Sequence, residues 1–223
     1  MHYIQPHKKI MTFCSLCNSE RAALFYQDND REYLHCENCN LVFVPPQYFL
    51  SPEEEKIRYD LHENSPDDNG YRDFLGRLFV PLNKLLSPKS SGLDFGSGPG
   101  PTLSVMFEEH GHTMGIFDSF FANNEDVFNR KYDFITATEV FEHLHNPIGE
   151  LDRLWSCLKS GGYLGVMTKL VIDKERFEKW HYKDDLTHVS FYSQETFEWL
   201  ARYLNATISF FENDVIIFRK IKR

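Results

Sequence analysis

A glycine-rich turn constrains this chain more than any other segment. A short apolar stretch, Leu93-Asp94-Phe95, runs into Gly96-Ser97-Gly98-Pro99-Gly100, with glycines at alternate positions. The run from Pro101 to His110 follows at once, and its apolar residues Leu103, Val105, Met106 and Phe107 predict an amphipathic helix. Strand, glycine turn and helix in that order bring backbone amides close to a ligand, because no Cβ blocks the approach and positive φ costs little. A second apolar run, His112 to Phe117, ends at Asp118. In a βαβ unit that residue stands at the carboxyl edge of the neighbouring strand, where a carboxylate can accept the hydroxyl protons of a ribose. The segment reads as a nucleoside-binding loop in an α/β fold.

The third glycine narrows the nucleoside. Dinucleotide-binding turns need G-x-G-x-x-G, and Pro101 occupies that last position here, whereas the tighter G-x-G-x-G is complete. Downstream, Lys131-Tyr132-Asp133-Phe134-Ile135-Thr136-Ala137-Thr138 reads as a strand, followed by Glu139-Val140-Phe141-Glu142-His143 in an E-x-x-E-H pattern. Leu158-Lys159-Ser160-Gly161-Gly162-Tyr163-Leu164 then turns into a further strand. From roughly residue 70 to 223 this order of motifs resembles that of the class I S-adenosylmethionine-dependent methyltransferases, with Ser160 where proline is usual.

The resemblance implies a Rossmann-like methyltransferase sheet with an antiparallel terminal hairpin, and S-adenosyl-L-methionine as cofactor. It implies a cofactor site made of Asp94, Phe95, Gly96, Ser97, Gly98, Gly100, Asp118, Ser119, Thr138 and Glu139. The C-terminal pattern agrees with it. Ser193-Gln194-Glu195-Thr196 caps a helix bearing Phe197, Leu200, Ala201 and Leu204, and Thr207 to Phe211 turns at Glu212-Asn213-Asp214 into Val215 to Phe218. One stretch departs from the family. Ser119 to Lys131 is too short for the usual helix, third strand and acidic turn, so the third strand is predicted to be shortened or lost, leaving Asn123, Asn124 and Asp126 as candidates for the adenine edge or as a plain exposed turn.

Four of the five cysteines fall in Cys14-x-x-Cys17 and Cys36-x-x-Cys39. Each pair forms a knuckle that points two thiolates at one ion, and two knuckles close a tetrahedral structural zinc site. Ala22 to Phe25, Glu32 to His35 and Leu41 to Val44 read as short strands of a small N-terminal zinc ribbon, in which His35 is surplus to a filled site. Disulfides or a redox pair are the rival readings. So small a module lacks the apolar surface to hold itself together, so the metal is expected to supply folding energy. Cys157, among Leu151, Leu154, Trp155 and Leu158, is expected to be a buried structural thiol.

The expected organisation is a zinc ribbon over 1–46, a helical linker or lid over 47–90 and the cofactor-binding domain over 91–223. Pro45-Pro46 stops the ribbon, and Ser51-Pro52-Glu53-Glu54 combines an N-cap, a first-turn proline and a capping glutamate, predicting a helix to about Leu61. From Tyr71 the residues Phe74, Leu75, Leu78, Phe79, Leu82, Leu85 and Leu86 follow helical spacing with Pro81 as a kink, a stripe expected to pack against the core. The resemblance also gives Tyr59, His62 and Tyr71 a place beside a pocket.

Chemistry concentrates in two segments. With a helix beginning near Glu139, the side chains of Glu139, Glu142 and His143 would share one face. They can be structural, can bind substrate or cofactor, or can hold a divalent metal that orients a hydroxyl, as the resemblance to quinone-biosynthetic and RNA 2′-O-methylating enzymes suggests. The second segment, Trp180 to Ser193, is dense in imidazole, carboxylate and aromatic groups. His188 is the first choice of general base, with His181 and Asp185 behind it, or a fourth metal ligand beside Glu139, Glu142 and His143.

Charge bears on the partner. A net charge of -9 argues against a broad phosphate-binding surface, so a small-molecule acceptor, quinone-like or sugar-like, is expected rather than nucleic acid. An RNA methyltransferase and a non-catalytic scaffold binding S-adenosylmethionine and zinc are the alternatives. No apolar run is long enough to span a bilayer and the N-terminus lacks a secretory h-region, so the expectation is a cytoplasmic protein without membrane partners.

Overall fold

The structure, a computed structural model, describes residues 12–61 and 64–222; His62, predicted beside the pocket, lies outside them. The ribbon forms as the sequence predicts, with β1 (Ala22–Gln27), β2 (Glu32–Cys36) and β3 (Val42–Phe43) pairing antiparallel. Two helices follow. The first, α1 (Pro52–Tyr59), starts on the predicted capping box, in which Ser51 Oγ accepts from Glu54 N and the Glu54 carboxylate accepts from Ser51 N. The second, α2 (Asn69–Asn83), is capped by Asp68 and carries Pro81 inside it. Its stripe packs as expected: Leu75, Leu78, Phe79 and Leu82 are buried, while Leu85 lies past the helix end and is exposed.

The main sheet has six strands: β4 (Ser91–Phe95), β5 (Thr113–Phe117), β6 (Tyr132–Thr138), β7 (Leu158–Met167), then β9 (Ala206–Phe211) and β10 (Val215–Lys220). Their order is β5-β4-β6-β7-β10-β9. The first four run parallel, and β10 inserts antiparallel between β7 and β9 as the terminal hairpin. Helices α3 (Thr102–Glu109) and α4 (Pro147–Cys157) join β4 to β5 and β6 to β7, and α5 (Lys174–Glu178) and α6 (Gln194–Tyr203) follow β7. Cys157 is buried at the end of α4. Between Asp118 and Lys131 there is only an isolated bridge, Asp118 to Ala122, and a 3-10 turn at Glu125–Asn129. Among the described residues no strand takes the third position, so β5 is the sheet edge and the loop after it lies open toward the cavity.

Two features were not predicted. A strand from far along the chain, β8 (Ser190–Phe191), pairs antiparallel with β3 and becomes the fourth strand of the ribbon sheet. The hydrogen bond from Val44 N to Val189 O, 2.9 Å, extends the seam. The other is a correction. No helix begins at Glu139; the residue adopts φ +52 and is followed by a 3-10 turn, Phe141–His143. Burial of Phe141 and Glu142 explains the difference, because the chain must turn sharply inward at the end of β6 before α4 starts at Pro147.

Candidate active site

The carboxyl ends of β4, β5 and β6 open into a cavity of about 750 Å³, within the span of roughly 300–1,000 Å³ usual for small-molecule sites. Its first wall is the glycine turn. Gly96 has φ +75, and a Cβ there would lie 2.3 Å from Val140 Cγ2. At Gly100 a Cβ would lie 1.9 Å from the Asn64 carbonyl oxygen, so the chain entering α2 closes directly over the turn. Asp118 Oδ2 accepts from Gly98 N at 3.0 Å, while Oδ1 accepts from Phe120 N and Phe121 N at 2.9 and 3.1 Å. A carboxylate retains acceptor capacity beyond these bonds. The buried Ser97 hydroxyl has no hydrogen-bond partner among the described residues. Bare backbone, a free hydroxyl and a fixed carboxylate along one wall fit a nucleoside with a polar amino acid end.

Asp94 stands beneath that wall, accepting from Thr136 Oγ1 at 2.7 Å and Ser104 Oγ at 3.3 Å. Burial pushes its carboxyl up to about 6. Of the predicted cofactor residues, Asp94, Phe95, Gly96, Ser97, Gly98, Gly100, Asp118, Ser119, Thr138 and Glu139 all line the cavity. Asn123 lines it too, whereas Asn124 accepts from Asp126 N and Asp126 accepts from Asn129, so both hold the 3-10 turn together.

The opposite wall carries the acidic and imidazole groups. Glu142 is fully buried; its Oε1 accepts from Tyr182 Oη at 2.5 Å and its Oε2 from Thr168 Oγ1 at 2.9 Å. Tyr182 Oη lies 3.4 Å from Glu139 Oε2, so one phenol bridges two carboxyls. Burial raises the Glu139 carboxyl, and the neighbouring Glu142 adds to the effect; burial likewise raises Glu142. The positive φ of Glu139, a strained conformation for a side chain with Cβ, turns it into this wall.

Both imidazoles are tethered by one nitrogen. His188 Nδ1 donates to Tyr182 O at 2.6 Å and His143 Nδ1 donates to Thr187 O at 3.2 Å, the tautomers that these carbonyl partners require. In that tautomer His188 Nε2 carries the ring's lone pair. The rings stand 4.7 Å apart, centre to centre. Burial, followed by the charge of His143, pulls His188 down to about 4, so it is neutral at pH 7. Asp185 lines the cavity 4.0 Å from His188 Nε2. His181 does not reach the site: it begins the 3-10 turn His181–Asp184 and is exposed outside the cavity lining.

Of the four residues offered as a possible metal set, three come together. Ligand atoms of Glu142, His143 and His188 lie within 4.8 Å of one another, and Glu139 is outside this group. The ribbon cysteines form the other cluster. Cys14 Sγ to Cys39 Sγ and Cys17 Sγ to Cys36 Sγ are both 3.5 Å, and all four sulfurs lie within 4.8 Å of one another. Zinc–sulfur bonds of about 2.3 Å in a tetrahedron place sulfurs about 3.8 Å apart, so this donor set fits a closed zinc site.

Sequence reasoning missed several lining residues. Asn64, Glu55, His145, Asn146, Glu150 and Arg153 come from α1, the loop before α2, and the loop into and first turns of α4. His145 stacks on Phe49 at 4.2 Å, and its Nε2 meets Glu55 Oε1 at 3.0 Å. Tyr59 and Tyr71 do line the cavity. The buried Glu150 Oε2 faces it without a hydrogen-bond partner among the described residues. The spacing of Leu151, Leu154 and Trp155 marks α4 as a helix, but nothing local announces that its first turn faces the cavity.

A sheet with an antiparallel penultimate strand, opening at its parallel ends on a glycine-turn cavity, defines a class I S-adenosylmethionine-dependent methyltransferase fold. The profile of the family described as "Methyltransferase domain" matches residues 64–208, and the chain belongs to that family. Among solved structures, the chain is similar to 1,6-didemethyltoxoflavin-N1-methyltransferase of Burkholderia thailandensis, solved with 1,6-didemethyltoxoflavin and S-adenosylhomocysteine, at 15% identity and TM-score 0.56, covering 91% of this chain and 100% of that one. It is also similar to an O-methyltransferase family protein of the same organism, at 11% identity and TM-score 0.49, covering 75% and 63%. A methyltransferase of Methanosarcina mazei gives 11% identity and TM-score 0.48, covering 64% and 98%. No curated protein sequence matches the chain. Among the described residues no helix is long and apolar enough to cross a membrane.

Proposed function

We propose that this methyltransferase moves the methyl group of S-adenosylmethionine to a small-molecule acceptor held between the glycine turn and the Nε2 atoms of His143 and His188. One observation carries the reading: a single cavity runs from Gly96–Gly100 and Asp118 to Glu142, His143 and His188. The sulfonium supplies an activated methyl group, so the chain's own contribution is chiefly to position the acceptor and exclude water. The S–CH₃ bond breaks as the bond to the acceptor's oxygen, nitrogen or carbon forms, and S-adenosylhomocysteine leaves. His188 Nε2 takes the acceptor's proton, and the buried Glu142 carboxylate steadies the imidazolium that results.

Aromatic walls from Tyr59, Phe74 and Phe120 and the net charge of -9 support a compact, ring-bearing acceptor, quinone-like or sugar-like, over RNA. The bound ligand of the toxoflavin enzyme is a small molecule as well. The test is transfer of labelled methyl from S-adenosylmethionine in cell extract. Label in a low-mass, ribonuclease-resistant product is expected; ribonuclease-sensitive label would move the acceptor to RNA, and no label would make the chain a scaffold.

The close approach of Glu142, His143 and His188 favours a second reading, in which they hold a divalent ion. Both imidazoles have the tethered Nδ1 that metal-ligating histidines show, and such an ion would lower the pKa of a bound hydroxyl. Turnover lost to EDTA and recovered with Mg²⁺ or Mn²⁺ assigns the ion; unchanged turnover leaves His188 as the base.

A further inference from the structure

The loop that carries Tyr182 and His188 is gripped from outside by the ribbon, through a buried cation. Arg31, in the turn between β1 and β2, is only 3% exposed. Its Nη2 donates to Lys183 O at 2.5 Å and Asp185 O at 2.9 Å, its Nη1 to Leu186 O at 3.1 Å, and its Nε to Tyr33 Oη at 2.9 Å. Three carbonyls of one loop therefore converge on one guanidinium. Tyr33 Oη in turn donates to Asp28 Oδ2 at 2.9 Å, and Asp28 Oδ1 accepts from Arg31 N at 2.9 Å. The cation is held in place by its own turn and spends its side-chain donors on the loop and on Tyr33.

The clamped carbonyls lie between Tyr182, whose own carbonyl matters for chemistry, and His188. Tyr182 O, adjacent to Lys183, fixes the His188 ring through Nδ1, and Tyr182 Oη reaches Glu142. At the far end of the loop, Val189 N donates to Glu142 O, in the turn after β6, and Val189 O accepts from Val44 N of the ribbon. A guanidinium fork can hold several acceptors in fixed directions, which neither an aliphatic filler nor a lysine reproduces.

We propose that Arg31 is a positioning residue for methyl transfer: through the carbonyls of Lys183, Asp185 and Leu186, the zinc ribbon sets the aim and tautomer of the His188 imidazole. The catalytic meaning of that aim rests on the functional reading above, but the geometry is testable without an acceptor. A role confined to stability would leave the imidazole unchanged in any variant that folds.

The experiment is long-range ¹H–¹⁵N NMR of the histidine rings at neutral pH, with hydrogen exchange of the 181–190 amides and S-adenosylhomocysteine affinity measured in parallel. In the unaltered protein His188 shows the Nδ1–H tautomer. Arg31→Met is expected to give mixed tautomers and loop exchange about tenfold faster or more, with S-adenosylhomocysteine affinity unchanged. Tyr33→Phe deletes the hydroxyl that accepts from Arg31 Nε, donates to Asp28 and lies 3.3 Å from Lys183 O, and should shift the same signals in the same direction by less. A folded Arg31→Met with unaltered His188 signals and loop exchange overturns the proposal. If that variant does not fold, unaltered signals in Tyr33→Phe overturn it instead. Failure to find methyl transfer would sink the functional reading and leave this result standing, whereas an unmoved His188 sinks this inference whatever the turnover.

Discussion

At the glycine end of the cavity, the wall is built by one βαβ unit running from β4 through α3 to β5 and ending at Asp118. At the imidazole end, Glu142 comes from the turn after β6 and Tyr182 and His188 from one loop after α5, held in register by Arg31 and β8 across the seam with the ribbon. The first wall is set by backbone shape, which a short stretch of chain can dictate. The second is set by side-chain bonds between distant segments, so it can fail while the first stays intact. Cofactor binding and turnover should therefore separate under mutation.

His188→Ala breaks the imidazole end alone. Turnover is expected to fall by about 10²–10⁴, the usual contribution of a positioned acid or base, while S-adenosylhomocysteine affinity by calorimetry stays unchanged. Near-normal turnover would remove His188 from the chemistry. Gly96→Ala attacks the other end. The added Cβ meets Val140 and must sit at φ +75, a combined cost of about 2–4 kcal/mol that should appear as lost thermal stability and weakened S-adenosylhomocysteine binding together. Unchanged affinity would mean that the turn does not contact the cofactor.

The smallest effect sharpens the comparison through pH. Burial raises Asp94 to about 6 in the fold, against about 3.9 unfolded, so the folded protein binds the extra proton between those values. Its contribution to stability is then fully present below about pH 4 and is lost as pH rises through about 6, by ~3 kcal/mol at most. Asp94→Asn should flatten that part of the profile in urea denaturation and be the more stable form at pH 7 by about 1–3 kcal/mol. A profile that keeps its slope would place the proton elsewhere.

Legibility in the sequence followed the same division. The glycine turn, Asp118, the cysteine knuckles, the Ser51 capping box and the terminal hairpin were readable because each signal lies within a few residues of the structure it causes. The shortened loop after Asp118 was readable from length alone. Arg31 and Asn64 were not, since the segments they meet are far away along the chain and no period or cap marks them. The helix expected at Glu139 failed for a related reason. Spacing by threes and fours suits a helix, but burial of Phe141 and Glu142 forces a sharp turn at φ +52 that no local pattern encodes. His181 shares its composition with His188 and differs only in which way the loop faces.

The pairing of β3 with β8 also has a consequence for how the protein comes into being. As the chain emerges from the ribosome, the ribbon's cysteines, Arg31 and β3 are made well before Ser190 and Phe191, and synthesis proceeds at roughly 5–20 residues per second. For several seconds the edge of β3, lined by the apolar Val42, Phe43 and Val44, has no strand beside it and is open to unwanted pairing. Its short length limits that hazard, and the late arrival of β8 ends it. The strand that protects the nascent ribbon is the one next to His188, so the newborn chain is shielded from aggregation at the moment its last catalytic candidate is delivered.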